Sequence, residues 1–390
     1  MQQHGLEPGG WRFPCHLHDL SDDAYFEAEF AQLEREAPLA AAAGYKFTSF
    51  HLLPWSNATP KNRFCDHFAL VAARLRRVGE VLKKYDMRLA LEFLGPYGNR
   101  RVHGCPTLGT GFDFIHTIEG IRCLAAAAGV SSHVGLKLDV HHWHCTGGLL
   151  EELICLEPHE VALVELNDST ASVTRRAQPE FDRDVPLRNG VSDSAGLLAV
   201  LMQLGVKCPV HVESFTRRFH IVDVDDTIAE QKKAMDLCFR VAAARVLPAD
   251  LVGSQPHVND PHEPPGWASK MTQELAQYQE RHGLAGHVLP PWPALTQLPR
   301  FRDAPPAGAW PTKLLRTLNV TDSDWDVPWP HIGTLGKQLP FPEACAMAEK
   351  HGYDAVHLDV DFLLEHGPEA VRGLLQQHGL EPGGWRFPCH

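Results

Sequence analysis

Eight successive strand-then-helix patterns, one segment that stands at both ends of the chain, and a carboxylate near the end of each of four apolar strands predict a circularly permuted (β/α)8 barrel of the TIM type. The sustained alternation favours a closed parallel barrel over an open doubly wound sheet. The repeated segment is Gln376–His390 (QQHGLEPGGWRFPCH), identical letter for letter to Gln2–His16. Fold-related repeats recur at short periods and diverge, so the sequence reads instead as a ring opened inside one structural unit. Both copies compete for one strand slot. One is expected in the barrel, the other displaced or exchanged with a neighbouring molecule. Termini that lie close together make such a permutation tolerable.

Taken round the ring, KLLRTLNV (Lys313–Val320) is apolar enough for the first strand, and FPEACAMAEKH (Phe341–His351) is a helix with Pro in its first turn. DAVHLDV (Asp354–Val360) is the second strand, followed by a helix over Pro368–Gln377. The third strand is Leu380–Phe387 or its duplicate Leu6–Phe13, followed by a helix over Asp22–Ala43. YKFTSFHLL (Tyr45–Leu53) and MRLALEFLG (Met87–Gly95) are strands, separated by a helix over Phe68–Tyr85. VGLKLDVHH (Val134–His142), VALVELND (Val161–Asp168) and PVHVESF (Pro209–Phe215) complete the eight, with helices near 111–128, 148–155, 194–204 and 224–246. Residues 1–246 thus hold strands 3 to 8, and 312–390 hold strands 1 and 2 plus the duplicate of strand 3. Between them, 247–311 is a Pro-rich and mostly irregular connection, with helical periodicity only over Met271–Arg281.

Composition narrows the function. With 44% hydrophobic and 22% charged residues in 390, the chain has the make-up of a soluble globular protein. Its longest apolar runs fall far below the ~18 residues of a membrane span. Met1–His16 has neither the basic start nor the apolar stretch of a signal peptide. Ten Cys without CxxC pairs suit reduced, mostly buried thiols in a cytoplasmic enzyme. A net charge of -12 disfavours nucleic-acid binding, which rests on clustered Lys and Arg. Small-molecule chemistry remains.

The chemistry is carried by the carboxylates, because a buried ionised group costs several kcal/mol unless a metal or an opposite charge compensates it. Glu92 shares a strand face with Ala90 and Leu94, Asp139 with Lys137 and His141, Glu165 with Leu163, and Glu213 with His211. All four fall near C-terminal strand ends, where barrel sites are built. Converging there, they would hold one divalent cation through oxygen ligands, of the Mn, Mg or Co kind, with Zn a further candidate. His142 follows Asp139 closely enough to reach over the same pocket, and His51 in SFHLLP is a second candidate for substrate contact. Arg217, four residues past Glu213, is placed as a clamp for an anionic group. Lys137 reads as a buried charge partner and Asp168, in NDST, as a turn or cap residue.

At LALEFLGP (Leu89–Pro96), GLKLDVHHWHCTGG (Gly135–Gly148), LVELNDS (Leu163–Ser169) and PVHVESF (Pro209–Phe215), the chain resembles the xylose isomerase-like TIM barrels, specifically the sugar phosphate isomerase/epimerase family. The resemblance implies Glu92, Asp139 and Glu213 as metal ligands and His142 as a substrate contact. The family usually has His or Gln where Glu165 stands, so a third Glu makes this site more anionic. Asp182 and Arg183 match an Asp-Arg pair of the family, although LRNGVSD (Leu187–Asp193) replaces the Pro-Gly-rich loop that tends to follow it. The expected activity is isomerisation or epimerisation of a sugar or polyol through an enediolate, with Glu92 and Glu213 moving the proton. A dehydratase of the inosose or dehydroshikimate type, a phosphodiesterase resembling the AP endonucleases, and a non-catalytic barrel are the alternatives. Oligomeric state is left open.

Overall fold

In a computed structural model, which describes residues 10–12, 23–56, 64–100, 112–245, 314–319 and 339–382, one parallel sheet organises the chain. Its strands are β1 (Gly10–Arg12), β2 (Phe47–Leu52), β4 (Arg88–Phe93), β6 (Val134–Asp139), β7 (Val161–Leu166), β8 (Pro209–Val212), β9 (Leu315–Leu318), β10 (Ala355–Val356) and β11 (Glu381–Pro382), adjacent in that order. A separate antiparallel pair, β3 (Trp55–Ser56) and β5 (Phe112–Asp113), sits beside it. Every residue of β2, β4, β6 and β7 is buried. That is why these strands read as continuous apolar runs: a parallel sheet packed on both faces has no solvent side.

The two copies of the repeated segment occupy opposite edges of the sheet. From the C-terminal copy, Glu381 and Pro382 pair with Ala355 and Val356 of β10. From the N-terminal copy, Gly10–Arg12 pairs with Phe47–Ser49 of β2. Gly10 matches Gly384 in the repeat, two residues beyond Pro382, so the front half of the motif is paired in one copy and the back half in the other. Among the described residues the sheet thus has nine strand segments, with one copy of the repeat at each end.

Helices α1 (Asp23–Ala43), α2 (Phe64–Lys84), α3 (Ile118–Ala128), α4 (Val140–Cys145), α5 (Leu150–Ile154), α6 (Ser194–Leu204), α7 (Val224–Ala244), α8 (Phe341–Lys350) and α9 (Val360–Gln377) follow their strands. In α2 the buried residues Val71, Leu75, Val78 and Leu82 recur every three or four positions and face the sheet. The Thr117 hydroxyl accepts from Gly120 N–H to start α3, and Asp193 accepts from Gly196 N–H to start α6. Among the described residues, no helix is long and apolar enough to cross a membrane.

Several expected boundaries move. The strand ending at His142 stops at Asp139, because the Asp139 carboxylate accepts the His141 and His142 N–H groups and turns the chain into α4. The helix expected over 111–128 begins only at Ile118, after β5. The helix expected to start at Pro368 is the second half of α9, which is broken at Gly367 (φ 78°). The connection 247–311, with its helix Met271–Arg281, lies outside the described residues. Among the described cysteines, Cys145, Cys208, Cys238 and Cys345 are buried, whereas Cys65, Cys123 and Cys155 are exposed, so burial of the thiols is less general than expected.

Candidate metal and substrate site

Register builds the site. His51 on β2 pairs with Glu92 on β4, and Glu92 pairs with Lys137 on β6. One step towards the strand ends, Asp139 pairs with Glu165 on β7, and Glu165 with His211 on β8. Glu213 follows immediately after β8, its N–H donating to Leu166 C=O. Parallel strands keep like positions level, so four chain segments deliver Glu92, Asp139, Glu165 and Glu213 to one spot. One ligand oxygen from each lies within 4.8 Å of the others, and all four residues are buried. Glu92, Asp139 and His142 form a second, overlapping group of the same tightness.

Two cations hold the carboxylates apart. Lys137 Nζ lies 2.9 Å from Glu92 Oε2 and 2.9 Å from Glu165 Oε1. Arg183 Nη1 donates to Asp139 Oδ2 at 2.8 Å, while Nη2 reaches Glu213 Oε2 at 2.8 Å and Glu180 Oε1 at 3.0 Å. The Arg183 guanidinium also lies over the Phe215 ring, 4.6 Å from its centroid. Asn167 Nδ2 donates to both Asp139 oxygens at 3.1 Å. Burial would raise the Asp139 pKa, but Arg183 and His142 outweigh it and hold the carboxyl well below the usual range. Glu165 goes the other way: burial and then Glu213 push it well up, against the pull of Lys137. With all four carboxylates ionised, Lys137 and Arg183 would leave two negative charges over, the charge of one divalent ion.

His142 stands on α4 with its Nδ1 accepting from Gly95 N–H at 3.2 Å. The ring hydrogen of the neutral form is therefore on Nε2, which faces Glu92 Oε1 at 3.2 Å and Glu180 Oε1 at 3.6 Å. Burial alone would lower the His142 pKa, yet Glu180, Asp139 and Glu92 raise it. Gly95 has no alternative here, since a Cβ would sit 2.0 Å from the His142 carbonyl oxygen. His141 turns elsewhere, its Nδ1 2.8 Å from Ser169 Oγ. Asp168 is a loop anchor, accepting the N–H groups of Asn189, Gly190, Val191 and Ser192.

Beside the carboxylates opens a cavity of about 150 Å³ lined by Leu53, Trp55, Leu94 and Phe181, with His51, Asn99 and Glu180 as its polar groups. His51, a candidate for substrate contact, thus lines this cavity. Arg217 is exposed, on the turn Arg217–His220. The geometry favours Arg183, 34 residues earlier in sequence, as the arginine of the site. Sequence reading also passed over Glu180 and over His357, whose Nε2 is 2.9 Å from His211 Nδ1. The Asp-Arg pair was the one signal for Arg183; nothing local marks the other two.

The family described as "Xylose isomerase-like TIM barrel" matches residues 1–240. Among solved structures, a xylose isomerase domain protein from Alicyclobacillus acidocaldarius is similar at 22% identity over 62% of this chain and 80% of its own, with a TM-score of 0.49. The IOLI protein, crystallised with a zinc atom, is similar at 17% identity over 62% and 78%, TM-score 0.49. A 3-keto-D-glucoside 4-epimerase, YcjR from E. coli, follows at 15% over 61% and 80%, TM-score 0.43. No curated protein matches the chain.

Proposed function

Because the chain belongs to the xylose isomerase-like TIM-barrel family, we propose that it is a divalent-metal-dependent isomerase or epimerase of small hydroxy-carbonyl compounds, working by proton transfer through an enediolate. The observation that carries this reading is the convergence of four strand-end carboxylates within 4.8 Å. The residues fit a metal. The donor set is all oxygen, the four carboxylates in their ionised form exceed the two cations by two charges, and Glu165 Oε2 is buried without a hydrogen-bond donor among the described residues. Glu92, Asp139, Glu165 and Glu213 would hold the ion. When bound, it supplies a Lewis acid that makes the C–H between two substrate oxygens acidic.

The chain's own groups do the rest. Glu92 on β4 and Glu213 after β8 are separated by β6 and β7, so they face the substrate carbon from different sides. One carboxylate takes the proton and the other returns one, which changes configuration or moves the carbonyl. His142 Nε2–H donates to a substrate oxygen as negative charge grows on it. Arg183 fixes the rotamers of Asp139 and Glu213, and Lys137 those of Glu92 and Glu165. Walls of Trp55, Leu94 and Phe181 exclude water from the reacting face.

Elemental analysis of protein purified with added manganese should find close to one divalent ion per chain. In D2O, a panel of ketopentoses and ketohexoses should include one that exchanges its carbon-bound proton. Glu92→Gln and Glu213→Gln should each slow that exchange by about 10²–10⁴-fold. Undiminished exchange in both variants would sink the two-carboxylate mechanism.

A further inference from the structure

The loop from Asn167 to Asp193 carries Glu180, Phe181 and Arg183 to the site, yet among the described residues its only regular structure is the short turn Arg175–Ala177. A loop places a side chain less exactly than a strand does. Arg183 is nevertheless fully buried, and its guanidinium reaches Asp139 Oδ2 and Glu213 Oε2 at 2.8 Å each. Its backbone must be fixed from elsewhere. One tie is a reciprocal backbone pair, in which Asp184 N–H donates to Asp168 C=O and Asp168 N–H to Asp184 C=O, both at 2.9 Å. A second tie acts on the side chain of Asp184, the residue next to Arg183.

Arg218, in the turn after β8, grips that carboxylate with two donors: Nη2 donates to Oδ1 at 2.6 Å and Nε to Oδ2 at 3.1 Å. Its third nitrogen, Nη1, donates to Glu230 Oε2 on α7 at 2.5 Å, and the guanidinium carbon lies 4.2 Å from the centroid of the buried Phe219 ring. This arrangement uses a planar fork with donors on two edges, which a lysine ammonium does not have. Resting on the metal-dependent reading, we propose that Arg218 is a positioning residue: it ties the loop after β7 to helix α7 and, through Asp184, holds Arg183 where it sets the spacing of Asp139 and Glu213. The side chains of Arg218, Asp184 and Glu230 are 26%, 17% and 33% exposed, so solvent screens these ion pairs and their share of global stability is small. What they supply is position.

The test reads the loop and the metal separately, on the full chain. In hydrogen–deuterium exchange, Arg218→Ala should speed exchange of the Asp168 and Asp184 amides at least about tenfold, while the unfolding midpoint moves by no more than about 4 °C. Manganese affinity, read from the electron paramagnetic resonance of the free ion, should fall at least about tenfold in the same variant. Arg218→Lys, which keeps the charge without the fork, should recover neither property fully. Adding Asp184→Asn to Arg218→Ala should cause no further loss, because both remove one contact. Unchanged amide exchange or manganese affinity in Arg218→Ala, full recovery in Arg218→Lys, additive losses in the double variant, or a midpoint that falls further than stated overturns the proposal. Failure of the metal-dependent reading looks different: the wild type takes up no manganese, while its loop amides still respond to Arg218→Ala and so support the tie.

Discussion

The two halves of the sheet are built to different standards. On one side β2, β4, β6 and β7 are each six residues long, wholly buried, and carry Glu92, Asp139 and Glu165, with β8 presenting Glu213 at its end. On the other, β9 has four residues and β10 and β11 two each, and at the far edge beside β2 the strand β1 has three. No carboxylate of the cluster comes from this second half. It contributes His357, after β10, whose Nε2 lies 2.9 Å from His211 Nδ1, itself 3.8 Å from Glu165 Oε1. The carboxylate cluster lies where strand pairing is longest, which holds its oxygens to fixed positions. The repeated segment has been placed where pairing is shortest.

The sharpest way to break the first half is to remove the cation inside it. Lys137→Met should destabilise the protein by about 3–5 kcal/mol in urea unfolding, since it leaves Glu92 and Glu165 buried at close range without their ammonium. Added manganese should recover part of that loss, because an ion among the same carboxylates replaces the missing charge. Wild-type stability in this variant, with no response to manganese, would mean that the Lys137 bridges are not what holds the site.

Gly95→Ala is the next largest. Its Cβ would meet the His142 carbonyl oxygen at 2.0 Å, so α4 must shift, at an expected cost of about 1–3 kcal/mol. The proton-exchange rate should fall with it, as His142 moves off Glu92. A variant with full stability and rate would show that the approach of Gly95 to α4 is loose. The mildest test compares the halves directly by native-state hydrogen exchange. Amides of β4, β6 and β7 should be protected at least roughly tenfold more than those of β10 and β11, the level expected when short edge segments open before the core. Equal protection would erase the distinction between the halves.

Much of the barrel was legible beforehand because strand identity is a local property. Runs such as LALEFLG and LKLDVHH announce a strand buried on both faces, and a carboxylate inside such a run announces compensation. The ends of elements were less legible. Asp139 ends β6 by capping α4, and a side chain that serves both as cap and as site carboxylate cannot be told from a strand residue by periodicity. Arg183 stands 30 residues before Glu213 in sequence yet contacts it at 2.8 Å, because distance along a loop is a poor guide to distance in space.

The order of amino acids was enough to establish the alternating barrel, the duplicated strand and the four acidic strand ends, since each depends on a pattern confined to a few neighbouring residues. Which cation meets which carboxylate was decided only by folding. Arg183 lies 44 residues from Asp139, and Glu180 is 81 from Asn99, so nothing local joins them. Parallel register levels Glu92 with Lys137 and Asp139 with Glu165, and the long loop after β7 then swings Glu180 and Arg183 over them. The net charge of the carboxylate cluster is a sum over those contacts and exists only once the barrel has formed.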